Sequence, residues 1–202
     1  TEVDDFEEED PPMDVVFEVE ALSALLPSEI GYTWIYNGFA EYGHSMTLDA
    51  IIESDDSNVY EISGEVADMS GGEGNFNVDL TIKYILSGNT IVQEKTEEMM
   101  LDSKFDRLTL IKLPFVIGNT WTESVIDPDT QNEVTLNSGI ETATMVDGAM
   151  QYTVRYEDVD SDYYELRVIR EGVGVISVEI LLELTDGNFP ASYSLFLSGM
   201  LE

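Results

Sequence analysis

The feature that most constrains this chain's fold is apolar alternation with a period of two, broken by short turn signals. From Phe76 to Leu86 every second residue is apolar, and Met150 to Tyr156 follows the same pattern. Such alternation is typical of a strand with one buried face, and no segment shows the sustained 3.6-residue period of an amphipathic helix. Asn37-Gly38 predicts a type I′ hairpin turn between two flanking strands. The sequence therefore predicts an all-β, antiparallel fold.

We expect about ten or eleven strands in an antiparallel meander, forming either a strongly curved, half-barrel-like sheet or a sandwich. Residues 15–202 should form a single β domain. Residues 1–14 are acidic, contain two adjacent prolines, and are predicted to be a disordered tail. Directly after them, Val15, Phe17 and Val19 alternate with other residues and predict a short strand. The predicted core comprises Trp34, Tyr36, Tyr60, Ile62, Leu80, Ile82, Tyr84, Trp121, Tyr152, Val154, Leu166, Val168, Ile180 and Leu182.

A nine-residue segment recurs within the chain. Residues 26–34 and 113–121 are identical at six of nine positions, and each ends in one of the two tryptophans. We interpret this as two related halves, at about 26–112 and 113–200, each opened by the same turn and strand. Pro blocks a preceding helix, and Gly allows a sharp turn before the Trp enters the strand. The sequence thus predicts a repeated meander.

The opening Pro27-x-x-x-Gly31-x-x-Trp34 and the late Gly172-Val173-Gly174 resemble features of a group of uncharacterised bacterial exported proteins and lipoproteins. The resemblance spans roughly residues 26–184. It implies an antiparallel curved sheet and an extracellular or cell-envelope location. It also implies frequent tethering through a lipid-modified Cys in the precursor. The group has no known activity, so the resemblance implies no catalytic residue.

Charge narrows the possible partners. The chain has 42 Asp and Glu against 8 Lys and Arg, a net charge of −34, and its first basic residue is Lys83. Nucleic-acid binding needs clustered Lys and Arg to meet phosphates, so the composition argues against it. No apolar run approaches the roughly 20 residues of a membrane-spanning helix. We expect a monomer whose partner is a protein segment or an apolar small molecule.

The sequence is compatible with two kinds of binding site, a ligand groove and a Ca²⁺ site. Trp34, Trp121 and Tyr36 either anchor the core or line a ligand groove in the curved sheet. Alternate Asp residues in a turn suit Ca²⁺, a hard cation that takes oxygen ligands. They also suit a solvated hairpin tip. The candidate metal ligands lie in two predicted acidic turns and are Asp127, Asp129, Asp158, Asp160 and Asp162.

Few residues in the sequence favour an enzymatic function. His44 is the only histidine and has no motif around it, and the chain contains no cysteine. A carboxylate-based hydrolase would need two facing carboxyl groups, one in an apolar setting. The strand carboxylates are predicted on the solvent-facing side of the sheet: Glu141, Glu165, Glu179 and Glu183. A non-enzymatic exported binding or envelope-associated protein is therefore the leading hypothesis, with a Ca²⁺-dependent adhesion or scaffold module and a hydrolase as alternatives.

Overall fold

The computed structural model describes residues 13–38, 42–68, 77–96, 103–184 and 187–200. It contains one helix and twelve strands within these ranges. The elements are α1 (Met13–Ser23), β1 (Tyr32–Asn37), β2 (Tyr42–Glu53), β3 (Ser57–Asp68), β4 (Asn77–Ser87), β5 (Thr90–Thr96), β6 (Arg107–Lys112), β7 (Thr120–Ile126), β8 (Glu133–Val146), β9 (Ala149–Asp158), β10 (Tyr164–Arg170), β11 (Gly174–Leu184) and β12 (Gly187–Met200).

All twelve strands form one antiparallel sheet in the order β6-β5-β4-β3-β2-β1-β12-β11-β10-β9-β8-β7. Consecutive strands pair throughout each run, and the first strand pairs with the last, with Trp34 opposite Ser198. The two edge strands, β6 and β7, approach each other, so the sheet is a nearly closed barrel. The predicted all-β antiparallel meander is confirmed, with twelve strands instead of ten or eleven.

The alternating pattern of the strands accounts for the core. Leu80, Ile82 and Tyr84 of β4 are buried, and they face Gly64, Ile62 and Tyr60 of β3 in register. Because successive residues point to opposite faces of a strand, this register puts the apolar set of both strands inside. Thirty-three buried hydrophobic residues from the described ranges form one continuous cluster.

The prediction fails at the N-terminal end of the described chain. Residues 13–23 form α1. This helix includes the last two residues of the predicted tail, Met13 and Asp14, and the whole of the short strand predicted after it. The buried leucines Leu22, Leu25 and Leu26 are spaced by three and one, which fits a helix and the turn that continues it. The alternation of Val15, Phe17 and Val19 is too short to distinguish the two-residue period of a strand from the 3.6-residue period of a helix. Residues 1–12 lie outside the described residues.

The end of α1 closes one end of the barrel. The carbonyl of Ala24 accepts the backbone N–H of Gly172, in the turn between β10 and β11. The Nδ2 group of Asn58, at the start of β3, lies 3.4 Å from Ser23 Oγ and donates to it. In an antiparallel meander the odd strands start and the even strands finish at the same end. We call this the helix end, and the other the opposite end.

The Asn37-Gly38 hairpin differs from its prediction. A two-residue turn would pair Tyr36 with Phe39, but Tyr36 pairs with His44 and Asn37 with Gly43. The connection between β1 and β2 is therefore longer than a type I′ turn. Residues 39–41, between β1 and β2, lie outside the described residues.

The two turn-and-strand segments share the geometry of their glycines, although Leu113-Pro114 is a cis peptide bond and Leu26-Pro27 is not. Gly31 and Gly118 both have positive φ, 92° and 84°. The Gly31 N–H donates to the Leu48 carbonyl at 2.8 Å, and the Gly118 N–H to the Ile140 carbonyl at 2.9 Å. In both cases the accepting residue stands at a register shift in the second strand of its run. The division of the chain into two related halves remains our proposal, and this geometry supports it.

No helix in the described part of the chain has the length and apolar character needed to cross a membrane.

Candidate functional site

The inward face of β10 carries a charged pair instead of the predicted apolar residues. Glu165 and Arg167 are buried, whereas Leu166 and Val168 are half-buried on the outer face. The predictions that Leu166 and Val168 are core residues, and that Glu165 faces solvent, are therefore wrong. Both faces of β10 carry apolar residues, so hydropathy alone does not predict which face of the strand points into the barrel. Opposite charges two residues apart can neutralise each other on one buried face.

Glu165 is the centre of a hydrogen-bond network inside the barrel. Its Oε1 accepts from the Ser103 hydroxyl at 2.6 Å and from the Tyr163 hydroxyl at 2.7 Å. Its Oε2 accepts from Arg167 Nη2 at 3.0 Å. Arg167 Nη1 donates to Gln93 Oε1 on β5, on the facing wall, at 2.8 Å. The carboxylate is thus fully engaged, which places it in a structural role.

The network also holds residues 103–105, which lie at the opposite end of the barrel. Lys95 Nζ donates to the Ser103 carbonyl at 2.7 Å, and the Phe105 N–H donates to Ser103 Oγ at 3.0 Å. The Phe105 ring is buried and meets the Tyr163 ring edge-on at 5.7 Å. The network therefore packs Ser103 and Phe105 into this end of the barrel.

Burial changes the titration of the tyrosines in this region. Desolvation, reinforced by the nearby Glu165 carboxylate, raises the pKa of Tyr163 well above its usual value. Desolvation likewise raises the pKa of Tyr156, whose hydroxyl donates to the Leu110 carbonyl on β6. Both phenols therefore stay protonated and act as hydrogen-bond donors.

Among the described residues, the middle of the barrel leaves little room for a ligand. The void beside Tyr36, His44 and Arg167 in the middle of the barrel measures about 10 Å³. A pocket for a small organic molecule usually holds several hundred Å³. The barrel interior bounded by the described residues is therefore packed at this point with side chains.

Two of the three predicted ligand-groove residues are engaged with the backbone. Trp34 Nε1 donates to the Val173 carbonyl at 2.7 Å, and the Tyr36 hydroxyl donates to the Val175 carbonyl at 2.6 Å. These bonds tie β1 to the start of β11 through the Gly172-Val173-Gly174 turn, both of whose glycines have positive φ. This geometry fits core anchors. A ligand-binding role for these residues remains a prediction.

Trp121 differs from Trp34 in its polar end. Its indole is buried, and its Nε1 has no hydrogen-bond partner among the described residues. The hydroxyl of Ser138, its cross-strand partner on β8, is also buried and unbonded. The two tryptophans therefore share a place in the sequence repeat but not a hydrogen bond.

In each of the two acidic turns, the side chain of the first aspartate accepts hydrogen bonds from residues within the turn. Asp127 Oδ1 accepts the N–H groups of Asp129 and Thr130, and its Oδ2 lies 3.8 Å from Lys104 Nζ. Asp158 accepts the Asp160 N–H and the Ser161 hydroxyl. Within the described ranges, no three Asp, Glu or His side chains come together as a metal site, and Asp162 is exposed. Calcium binding remains a prediction without a formed site.

The single histidine lies in an aromatic cluster in the core. The His44 ring stacks on Tyr36 with centroids 4.4 Å apart, and it meets the Tyr193 ring edge-on at 5.0 Å. It is buried and belongs to the packing between β1, β2 and β12. Of the other strand carboxylates, Glu141 is exposed, Glu179 is half-buried, and the Glu183 side chain is not described.

The seam between β6 and β7 is closed by a carboxylate that the sequence analysis did not identify. Both oxygens of Glu123 on β7 lie within 3.1 Å of the Thr109 N–H on β6, and Oε2 also accepts the Thr109 hydroxyl at 2.9 Å. Asn119 Nδ2 donates to the Lys112 carbonyl at 2.7 Å. Side chains thus supply the bonds that neighbouring backbones supply elsewhere in the sheet. The sequence signal is weak, since Glu123 is one acid among 42.

The outer face of the described strands includes two shallow hollows. One, of about 450 Å³, lies over β7, β8 and β9 and is lined by Thr122, Asn137 and Arg155 among others. The second, of about 410 Å³, lies over Leu166 and Val168. Both are open to solvent.

The described residues define a class by fold: a nearly closed antiparallel barrel of twelve strands around one hydrophobic core. Two crystal structures are similar to it in fold. One is a putative exported protein with a YmcC-like fold from Bacteroides fragilis, with a TM-score of 0.52 and 10% identity, covering 86% of this chain and 98% of that one. The other is a putative lipoprotein from Parabacteroides distasonis, with a TM-score of 0.50 and 12% identity, covering 87% of this chain and 98% of that one.

At such low identity the two structures show the shared fold alone. No protein-family model matches the sequence, and no curated protein matches it. In fold, the chain is similar to a protein described as having a YmcC-like fold.

Proposed function

We propose that this chain is an exported, envelope-associated protein that works by binding through its outer surface, without catalysis. The packing in the middle of the barrel carries the proposal: beside Tyr36, His44 and Arg167 the void is about 10 Å³. A partner on the outside is therefore better supported than an apolar molecule within the sheet. The buried carboxylate that a hydrolase would need is fully hydrogen-bonded at Glu165.

The two structural neighbours support the location. One is a putative exported protein and the other is a putative lipoprotein. The Pro-x-x-x-Gly-x-x-Trp opening of this chain points to the same compartment. Under this proposal the protein acts outside the cytoplasm, and its precursor carries a lipid anchor.

Fractionation of the source cells tests the location. An antibody against the protein should detect it in the envelope or extracellular fraction. Labelling with a radioactive fatty acid should mark the envelope form if the precursor is lipidated. Detection in the cytosolic fraction alone would overturn the proposed compartment.

A native mass spectrum tests the mode of action. We expect the bare protein mass, before and after EDTA. A mass that is lost on denaturation but kept in EDTA would reveal an organic ligand and contradict the surface-binding proposal. A mass that is lost in EDTA would favour the Ca²⁺-dependent module instead.

A further inference from the structure

The two strands that join the ends of the chain carry no charged residue. Of the twelve strands that the structure describes, only β1 and β12 contain no Asp, Glu, Lys or Arg, and these two strands pair with each other. In the whole chain 25% of the residues are charged, and the net charge is −34. Because such a charge makes the protein repel its own copies, contact between two copies meets the least repulsion at an uncharged part of the wall.

A β-bulge in this strand pair presents two neighbouring apolar side chains to the outside. Tyr36 stands opposite Leu195, and the residue before Tyr36 on β1 stands opposite Leu197. Phe196 is therefore an extra residue on β12. Phe196 and Leu197 are 69% and 44% exposed, and Phe196 is the most exposed of the large apolar side chains that the structure describes. Removing such a ring from water is favourable, so this bulge is a candidate contact point.

The second hollow of the outer face lies beside the Phe196 ring. It measures about 410 Å³, and Leu166 and Val168 of β10 are the apolar residues at its floor. Ser194 also lines it and stands two residues before Phe196, which is about 7 Å along a strand. The protein thus carries a protruding aromatic ring and an apolar-floored hollow side by side on one face.

We infer that the outer face of β1 and β12 is the interface of a two-fold symmetric dimer of this chain. A two-fold axis that passes between the ring and the hollow places Phe196 of each copy over the hollow of the other copy. The contact is then self-complementary, as an interface between identical surfaces requires. The hollow favours a second copy over a lipid surface, because a flat surface would leave it unfilled.

This inference goes beyond the proposed function, which does not specify an oligomeric state. It also departs from the monomer that we predicted from the sequence. A dimer adds the mass of a second chain and no ligand, so a native mass spectrum distinguishes dimerisation from ligand binding.

The charge of the protein makes the inferred dimer depend on salt. Glu179 is the one charged residue among the described residues that line the hollow, and its carboxylate accepts the Tyr164 hydroxyl at 2.9 Å. The remaining charges of the two copies repel each other across the contact. Salt shortens the range of that repulsion, from about 8 Å at physiological ionic strength to about 3 Å at 1 M. The dimer should therefore become tighter as salt rises, whereas an interface held by charge attraction would become weaker.

Sedimentation equilibrium of the intact protein measures the dimer. We expect a monomer–dimer equilibrium whose dissociation constant falls by about tenfold or more from physiological salt to about 1 M NaCl. Phe196→Ser should raise the dissociation constant by about a hundredfold, because each dimer loses two buried rings. Ile126→Ser is the matched control, since Ile126 is 54% exposed and lies on β7, and it should leave the constant unchanged. Circular dichroism checks that both variants fold.

A second pair of variants tests the hollow independently of the ring. Ser194→Glu adds a carboxylate to the lining of the hollow, where the ring of the other copy would lie. Ser63→Glu adds the same charge on β3, and both serines are exposed positions within strands. Ser194→Glu should raise the dissociation constant by about tenfold or more, and Ser63→Glu should change it little.

Three results would overturn the inference. One is a protein that stays monomeric at millimolar concentration in 1 M NaCl. Another is a dimer that Phe196→Ser and Ile126→Ser weaken equally, because its interface would then lie elsewhere. The third is a monomer that binds phosphatidylcholine vesicles and loses this binding in Phe196→Ser, because the occupant of the face would then be a lipid surface. None of these results bears on the cellular location, which fractionation tests separately.

Discussion

Replacement of Glu165 by Ala would remove the acceptor of three hydrogen bonds inside the barrel. The carboxylate is 0% exposed and takes bonds from Ser103, Tyr163 and Arg167. Its loss would leave the Arg167 guanidinium, 1% exposed, without its anionic partner. Removing one member of a buried ion pair typically costs about 3–5 kcal/mol of the free energy of unfolding.

The expected loss is near the lower end of that range. Gln93 would still accept from Arg167 Nη1, so part of the guanidinium stays hydrogen-bonded. The two released hydroxyls can rotate, but each would cost about 1 kcal/mol if left unbonded. We therefore expect about 3 kcal/mol, a large part of the roughly 5–15 kcal/mol that holds a typical domain folded.

Denaturation in urea, followed by the fluorescence of the buried Trp34 and Trp121, measures the change. The control is Glu157→Ala on the neighbouring strand β9, which removes an exposed carboxylate that accepts from Arg155 Nε of the same strand. An exposed pair contributes at most about 1 kcal/mol, so the control should barely shift the unfolding midpoint.

A double substitution separates the missing charge from the missing packing. Glu165→Leu together with Arg167→Met replaces the pair by apolar side chains of similar size, and it should recover most of the stability lost in Glu165→Ala. A cost below about 1 kcal/mol for Glu165→Ala would refute the reasoning. So would a double variant no more stable than Glu165→Ala.

Three further predictions follow from single contacts. Trp34→Phe should cost about 1–2 kcal/mol more than Trp121→Phe in urea denaturation, because only the Trp34 indole has a hydrogen-bond partner; equal losses would contradict this. Glu123→Ala should speed hydrogen exchange of the Thr109 amide while amides of inner strands keep their protection, and an unchanged Thr109 rate would show that the seam does not depend on the carboxylate. Burial raises the pKa of Tyr163 above its unfolded value of 10.0, so its contribution to stability is complete below about pH 10 and is lost above it. Unfolding free energy should fall there by about 1.4 kcal/mol per pH unit more than in Tyr163→Phe, and parallel curves for the two proteins would contradict the shift.

The sequence was sufficient where one face of a strand is clearly apolar. Leu80, Ile82 and Tyr84 were predicted inside and lie inside, since their alternate residues are polar or charged. It was insufficient at β10, where Leu166 and Val168 compete with Glu165 and Arg167 for the core. Which face turns inward there depends on Gln93 and Ser103, whose positions come from other strands and loops.

The candidate site was harder to predict for the same reason. Glu123 joins Thr109 across the seam only because the sheet curls through all twelve strands. Local patterns give the elements, and such long-range contacts follow from closure of the barrel.

The strand order also shapes how the chain can fold. Ten of the eleven strand pairings join consecutive strands, so each needs only the loop between two neighbouring strands to close. The pairing of β1 with β12 is different, because Tyr32 meets Met200 across almost the whole chain. Local pairings form early and distant ones late, since long loops cost entropy before contacts repay it. Each run of six strands can therefore assemble by itself, and the barrel exists as a unit only after the last strand has joined the first.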